Sequence, residues 1–141
     1  MESKLFNPVD IKISCSGIWK TVRDQGILYF GIKLENNSEF NIYNLKFFLH
    51  KIPLNMKLEP KEIHRIPNLN PKTNISVYFR LIPEKDYIFD IIEGFVSYRD
   101  LQEKIHIRDI EPYEIEFQRD LYTPNKIFIR NLNQKVKSSS I

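Results

Sequence analysis

Between Gly26 and Phe117, apolar residues recur at every second position in four runs separated by short polar turns. Residues 27–35, 45–49, 75–81, and 96–98 with 105–107, all alternate in this way. A period of two sends successive side chains to opposite faces of a strand, so each run buries one face and wets the other. Such half-buried strands need a second layer to cover their apolar face. The chain is therefore expected to be all-β, with two sheets packed face to face.

Further strands fall around these runs. Val9, Ile11, Ile13 and Cys15 alternate with Asp10, Lys12 and Ser14, a first strand expected to break at Ser16-Gly17. Residues 19–24 read as a strand end or as a loop packing the Trp19 indole on the core. In the strongest run Leu28, Phe30, Ile32 and Leu34 point inward, and Tyr29, Gly31 and Lys33 outward. It stops at Asn36-Asn37-Ser38, whose short polar side chains bond back to their own backbone. A third strand covers 42–50 and ends before Pro53. Pro60 and Pro67 confine 56–66 to short edge pieces. Residues 89–99 and 104–110 form a hairpin across 100–103. Pro112 interrupts it, and Tyr113, Ile115 and Phe117 resume the alternation. This spacing predicts an antiparallel β-sandwich of about seven to nine strands, with a jelly roll or partly open barrel as the alternative. Residues 1–120 are expected to be a single domain. Residues 121–141 are expected to be a partly disordered C-terminal arm, with 127–129 as a candidate last strand.

Leu34-Glu-Asn-Asn-Ser38, and the stretch from Ile66 to Leu81 with its Leu-x-Pro and polar turn before an alternating strand, resemble immunoglobulin-like domains of prokaryotes. Residues 94–100, with 104–106 and 110–115, look like an archaeal version of such a domain. The same grammar is similar to that of adaptin-appendage (ear) domains, sandwiches that capture short peptides. The resemblance spans about residues 26–117 and implies an immunoglobulin-like fold and a peptide-binding role in trafficking. None of the ears' peptide-binding residues can be matched one for one.

The 141 residues suffice for a real core. The 10 Phe and 7 Tyr lean toward strands, while the absence of alanine removes the best helix former but fits AT-rich coding equally well. A net charge of +3 is small for a nucleic-acid binder. The lone Cys15 precludes an intrachain disulfide. Residues 1–8 lack a signal-peptide apolar core, and no run approaches the ~20 apolar residues of a membrane span, so a cytoplasmic protein is expected. His50, His64 and His106 stand apart, without the spacing of a metal site. The 4 Gly build no phosphate loop or nucleophile elbow. Carboxylate pairs such as Glu59 with Glu62, or Glu111 with Glu114, fall in proline-broken stretches. No enzyme, metal or cofactor is expected.

The outward phase is more telling. If Leu45, Phe47 and Leu49 point in, then Asn44, Lys46, Phe48 and His50 point out. If Val96 and Tyr98 point in, then Phe95, Ser97 and Arg99 point out. If Ile105 and Ile107 point in, then Lys104, His106 and Arg108 point out. In an immunoglobulin-like order these three strands share a sheet, whereas Ser76, Tyr78 and Arg80 decorate the other one. Two phenylalanines among cations suit an acidic-aromatic peptide, so Phe48, Phe95, Arg99, Lys104, His106 and Arg108 are the expected partner-binding residues. The alternative is a structural subunit that buries the aromatics in a homodimer; nucleic-acid binding ranks behind both. A bulge in the third strand, or within 89–99, would turn half of these residues inward.

Overall fold

The computed structural model describes residues 9–23, 25–59, 63–119 and 126–133. Among these residues ten strands follow one another: β1 (Ile11–Val22), β2 (Gln25–Asn36), β3 (Ile42–Lys51), β4 (Met56–Glu59), β5 (Ile63–Leu69), β6 (Thr73–Pro83), β7 (Tyr87–Arg99), β8 (Ile105–Asp109), β9 (Tyr113–Gln118) and β10 (Lys126–Asn131). They form two antiparallel sheets, ordered β1-β2-β6-β4 and β10-β9-β7-β3-β5, with β8 also paired to β7. The order β1-β2-β6 in one sheet and β9-β7-β3 in the other matches strands A-B-E and G-F-C of an immunoglobulin-type sandwich. The count exceeds the expected seven to nine because β4, β5 and β10 are ordered strands and Pro112 splits the last hairpin arm in two. Among the described residues, no helix is long and apolar enough to cross a membrane.

The core is the predicted inward phase of β2, β3, β6, β7 and β9. Leu28, Phe30, Ile32 and Leu34 of β2 meet Leu45 and Phe47 of β3, Phe79 and Leu81 of β6, and Ile115 and Phe117 of β9, all fully buried. At about 25 cal/mol per Å2 of apolar surface removed from water, such side chains supply most of the drive to fold.

Three details of the strands matter for what the surface displays. First, β1 does not break at Ser16-Gly17 but runs on for 12 residues. Gly17 is there because a Cβ at that point would collide with Ile129 Cδ1 of β10. The missing side chain lets the edge strands of the two sheets meet, and Trp19 turns inward onto Phe117 with ring centroids 5.2 Å apart. Second, Asn44 takes a left-handed φ of 52° where the β3–β7 register slips between Tyr43 and Lys46. That bulge lets Ile42 and Leu45 both face the core.

Third, β7 is long enough to hold two successive partners. Its first half pairs with β9, from Tyr87↔Gln118 to Ile92↔Tyr113. Its second half pairs with β8, from Phe95↔Asp109 to Arg99↔Ile105. The partner chain takes four steps from Asp109 to Tyr113, while β7 takes three from Ile92 to Phe95. One residue is extra, in the stretch that contains Pro112. The side-chain phase therefore inverts across it: Ile115 and Phe117 face the core, and Ile105 and Ile107 face solvent.

Candidate functional site

The β5-β3-β7-β8 sheet turns its outer face to solvent, and the register places its side chains in rows. One row reads Ile63–Phe48–Phe95–Asp109, and the next reads Arg65–Lys46–Ser97–Ile107. Beyond them Arg99 sits between Tyr43 and Ile105. Directly opposed side chains on one face lie close enough to touch. The Phe48 and Phe95 ring centroids are 5.1 Å apart, and the His50 imidazole lies 6.4 Å from the first and 6.1 Å from the second. His50 Nε2 comes within 3.9 Å of Glu93 Oε1.

Beside this aromatic cluster is a shallow groove of about 500 Å3, whose wall includes Lys46, Arg65, Ser97, Arg99 and Ile105. Its three cations have no carboxylate partner among the described residues, where the ion pairs engage other groups. At the opposite end, a second groove of about 460 Å3 is lined by His50, Glu93, Asp109 and Glu111. The face thus runs from basic to acidic, with the aromatics between.

Three of the six predicted residues are on this face: Phe48, Phe95 and Arg99. The other three are not, because β8 has the inverse of its expected phase. His106 and Arg108 oppose Tyr98 and Val96, on the core side of the sheet. There the His106 ring stacks on Tyr98 at 5.2 Å, and its Nε2 is 2.8 Å from Asp100 Oδ2. Arg108 hydrogen-bonds the Tyr98 hydroxyl, whose pKa burial nevertheless raises. Lys104 belongs to the turn that precedes β8; its amide donates to Asp100 Oδ1 at 3.0 Å. Chiefly because His106 hydrogen-bonds it, the Asp100 carboxyl titrates below the usual carboxylate value.

Ile105 and Ile107 take the vacated places, 54% and 65% exposed. The extra residue near Pro112 was the available clue, since a proline between two alternating runs often marks a bulge. Arg65 and Ile63 were missed for a different reason. A proline-bounded tetrapeptide, Ile63-His-Arg-Ile66, has too few residues to fix its own phase. On the other sheet Tyr78 does face outward, its ring laid against Gly31.

The remaining chemistry is structural. Burial, helped by Glu111, pushes the Cys15 thiol up to about 12, so no thiolate forms near neutral pH. No group of three His, Cys, Asp or Glu residues suited to a metal ion occurs among the described residues.

No family model matches the chain, and no curated protein is similar to it. Among solved structures it is similar to a Northeast Structural Genomics Consortium target, SoR45, at 10% identity over 77% of this chain and 85% of that one, with a TM-score of 0.44. It is also similar to a Bordetella pertussis protein designated ApaA, at 8% identity over 82% of this chain and 98% of that one, with a TM-score of 0.49. Neither likeness is close enough to transfer a site or a role.

Proposed function

We propose that this chain is a non-catalytic interaction module that holds an acidic-aromatic segment of a partner protein on the outer face of β5-β3-β7-β8. The observation that carries this reading is the juxtaposition of Phe48 and Phe95 with Lys46, Arg65 and Arg99, three cations without a carboxylate partner among the described residues, on one solvent face. Aromatic anchors supply apolar contact area, and charge supplies steering and orientation. The acidic end, around Glu93 and Asp109, repels the carboxylates of such a segment and so sets its direction along the face. Peptide capture by a sandwich is what the likeness to adaptin ears suggests.

The test is fluorescence anisotropy with a labelled peptide that alternates Asp or Glu with Phe, comparing the wild type with Phe48→Ser and Arg99→Glu. Binding at least about tenfold weaker in each folded variant, and weaker in high salt, is the expected result. Undiminished binding to both variants rejects this face as the site. A second reading, self-association, draws on Ile105 and Ile107, which stand exposed on β8, a strand paired to β7 alone among the described residues. Sedimentation of a concentrated sample as a dimer, abolished by Ile107→Lys, would favour it.

A further inference from the structure

Peptide capture alone leaves unexplained why three cations share one groove. Lys46 stands directly opposite Arg65 in the β3–β5 register, and opposed like charges on a sheet destabilise it. Arg99 lines the same groove one outward position beyond Ser97, the residue that faces Lys46 from the other side. Elsewhere this protein relieves its cations with acids: Arg130 reaches Glu114 at 3.2 Å and Glu116 at 3.1 Å. Among the described residues no acid does this for Lys46, Arg65 or Arg99.

We infer that this groove is a phosphate monoester site, which receives a phosphorylated side chain of the partner segment and so rests on the interaction reading above. A carboxylate brings one negative charge to the three cations. A phosphate monoester brings about −1.5 to −2 near neutral pH, with three acceptor oxygens. Two guanidinium groups can each grip a pair of those oxygens, the Lys46 ammonium adds a point charge, and the Ser97 hydroxyl adds a neutral donor. Ile105 gives the wall an apolar side for the carbon to which the phosphate is attached. A nucleic-acid phosphodiester carries a single charge and matches the trio less well.

The experiment is an NMR titration of the 141-residue chain with phenyl phosphate, run beside acetate, dimethyl phosphate and a single-stranded oligonucleotide. Phenyl phosphate is expected to shift the amides of Lys46, Arg65, Ser97 and Arg99 and to saturate in the millimolar range. Its affinity should rise about tenfold between pH 5 and pH 7.5, as the phosphate loses its second proton near pH 6. His50 lies beyond Phe48, between the aromatics and the acidic groove of Glu93 and Asp109, so a His50→Gln variant should keep the same pH profile.

Lys46→Glu should abolish binding and, by removing the repulsion from Arg65, raise the Tm of the free protein by about 1–3 °C. Arg65→Gln should weaken binding in a folded protein. Equal shifts with acetate or dimethyl phosphate, saturation of the same amides by the oligonucleotide, or no saturation with phenyl phosphate would each overturn the proposal. If the acidic-aromatic peptide binds while phenyl phosphate does not, the phosphate groove falls and the peptide face stands. If phenyl phosphate binds and the peptide does not, the groove stands and the peptide face falls.

Discussion

At the scale of single residues, the most consequential polar side chain is Asn36, fully buried at the end of β2. Its amide nitrogen donates to the carbonyls of Phe40 at 2.8 Å, Leu69 at 3.1 Å and Asn70 at 3.2 Å. Its oxygen accepts from the Ser38 amide at 3.1 Å and from the Ser38 hydroxyl. One side chain therefore ties the β2 end, the loop before β3 and the turn between β5 and β6. A buried carbonyl left without a donor costs about 1–3 kcal/mol. Asn36→Ala should lower the unfolding free energy by about 3 kcal/mol in urea titration; a loss below about 1 kcal/mol would mean that the loop holds itself. Asn36→Asp should be at least as damaging, because a carboxylate has no N–H to give. Cys15 makes a second residue-scale prediction. With its thiol raised to about 12, it should react with a thiol reagent near pH 8 only after urea unfolds the chain. Prompt labelling of the native protein would show that this part of β1 opens.

At the scale of elements, the last hairpin shows what a sequence discloses and what it conceals. The long runs of β2, β3, β6 and β7 were legible, because each has enough alternating positions to define its own phase. The inward and outward residues of β3 and β7 followed directly. The geometry of the face was half legible: Phe48, Phe95 and Arg99 lie on the outward phase that the alternation of those strands implies. The phase of β8 was not legible, because five residues alternate equally well either way and the choice is made by one extra residue before β9. Deleting Glu111 leaves three steps from Asp109 to Tyr113, as many as β7 takes, so regular alternation should still place Ile107 outward and Ile115 inward and the protein should keep a cooperative melt. Glu111→Ala should likewise retain a cooperative transition; loss of that transition in the deletion alone would refute the one-residue bulge as the device that sets the two phases. The hairpin turn also responds to acid. Asp100 accepts from the amides of Gln102 at 2.8 Å and Lys104 at 3.0 Å besides its contact with His106. Its folded pKa lies below the unfolded value of about 3.9, so its contribution is fully present above that pH and fades as pH falls through the folded value. The protection of the Gln102 and Lys104 amides, measured against their intrinsic exchange rates, should fall below about pH 4 in the wild type and be lost already at neutral pH in Asp100→Ala. Slow exchange in that variant would place the lock elsewhere.

At the scale of the whole molecule, a sandwich uses only one side of each sheet for its core, which leaves the other side free to carry a partner. Phe47 and Phe48, one peptide bond apart, lie on opposite sides of β3. Phe47 is fully buried between the sheets, opposite Val96 of β7 and His64 of β5. Removing such a ring costs its transfer energy plus the cavity it leaves, about 3–5 kcal/mol. A domain of this size has a total of about 5–15 kcal/mol, so Phe47→Ala should bring the midpoint of urea unfolding close to zero denaturant. Phe48 lies on the outer face against Phe95, half-buried, with the core intact beneath it. Phe48→Ser should shift that midpoint by less than about 1.5 kcal/mol of stability, within the ordinary range for point substitutions. The pair of urea curves, recorded alongside peptide anisotropy, separates packing from recognition. If Phe48→Ser lost stability as Phe47→Ala does, the outer aromatics would belong to the fold, and the binding face would lose its anchors. If Phe48→Ser kept its stability and lost the peptide, β3 would serve the core with one face and the partner with the other.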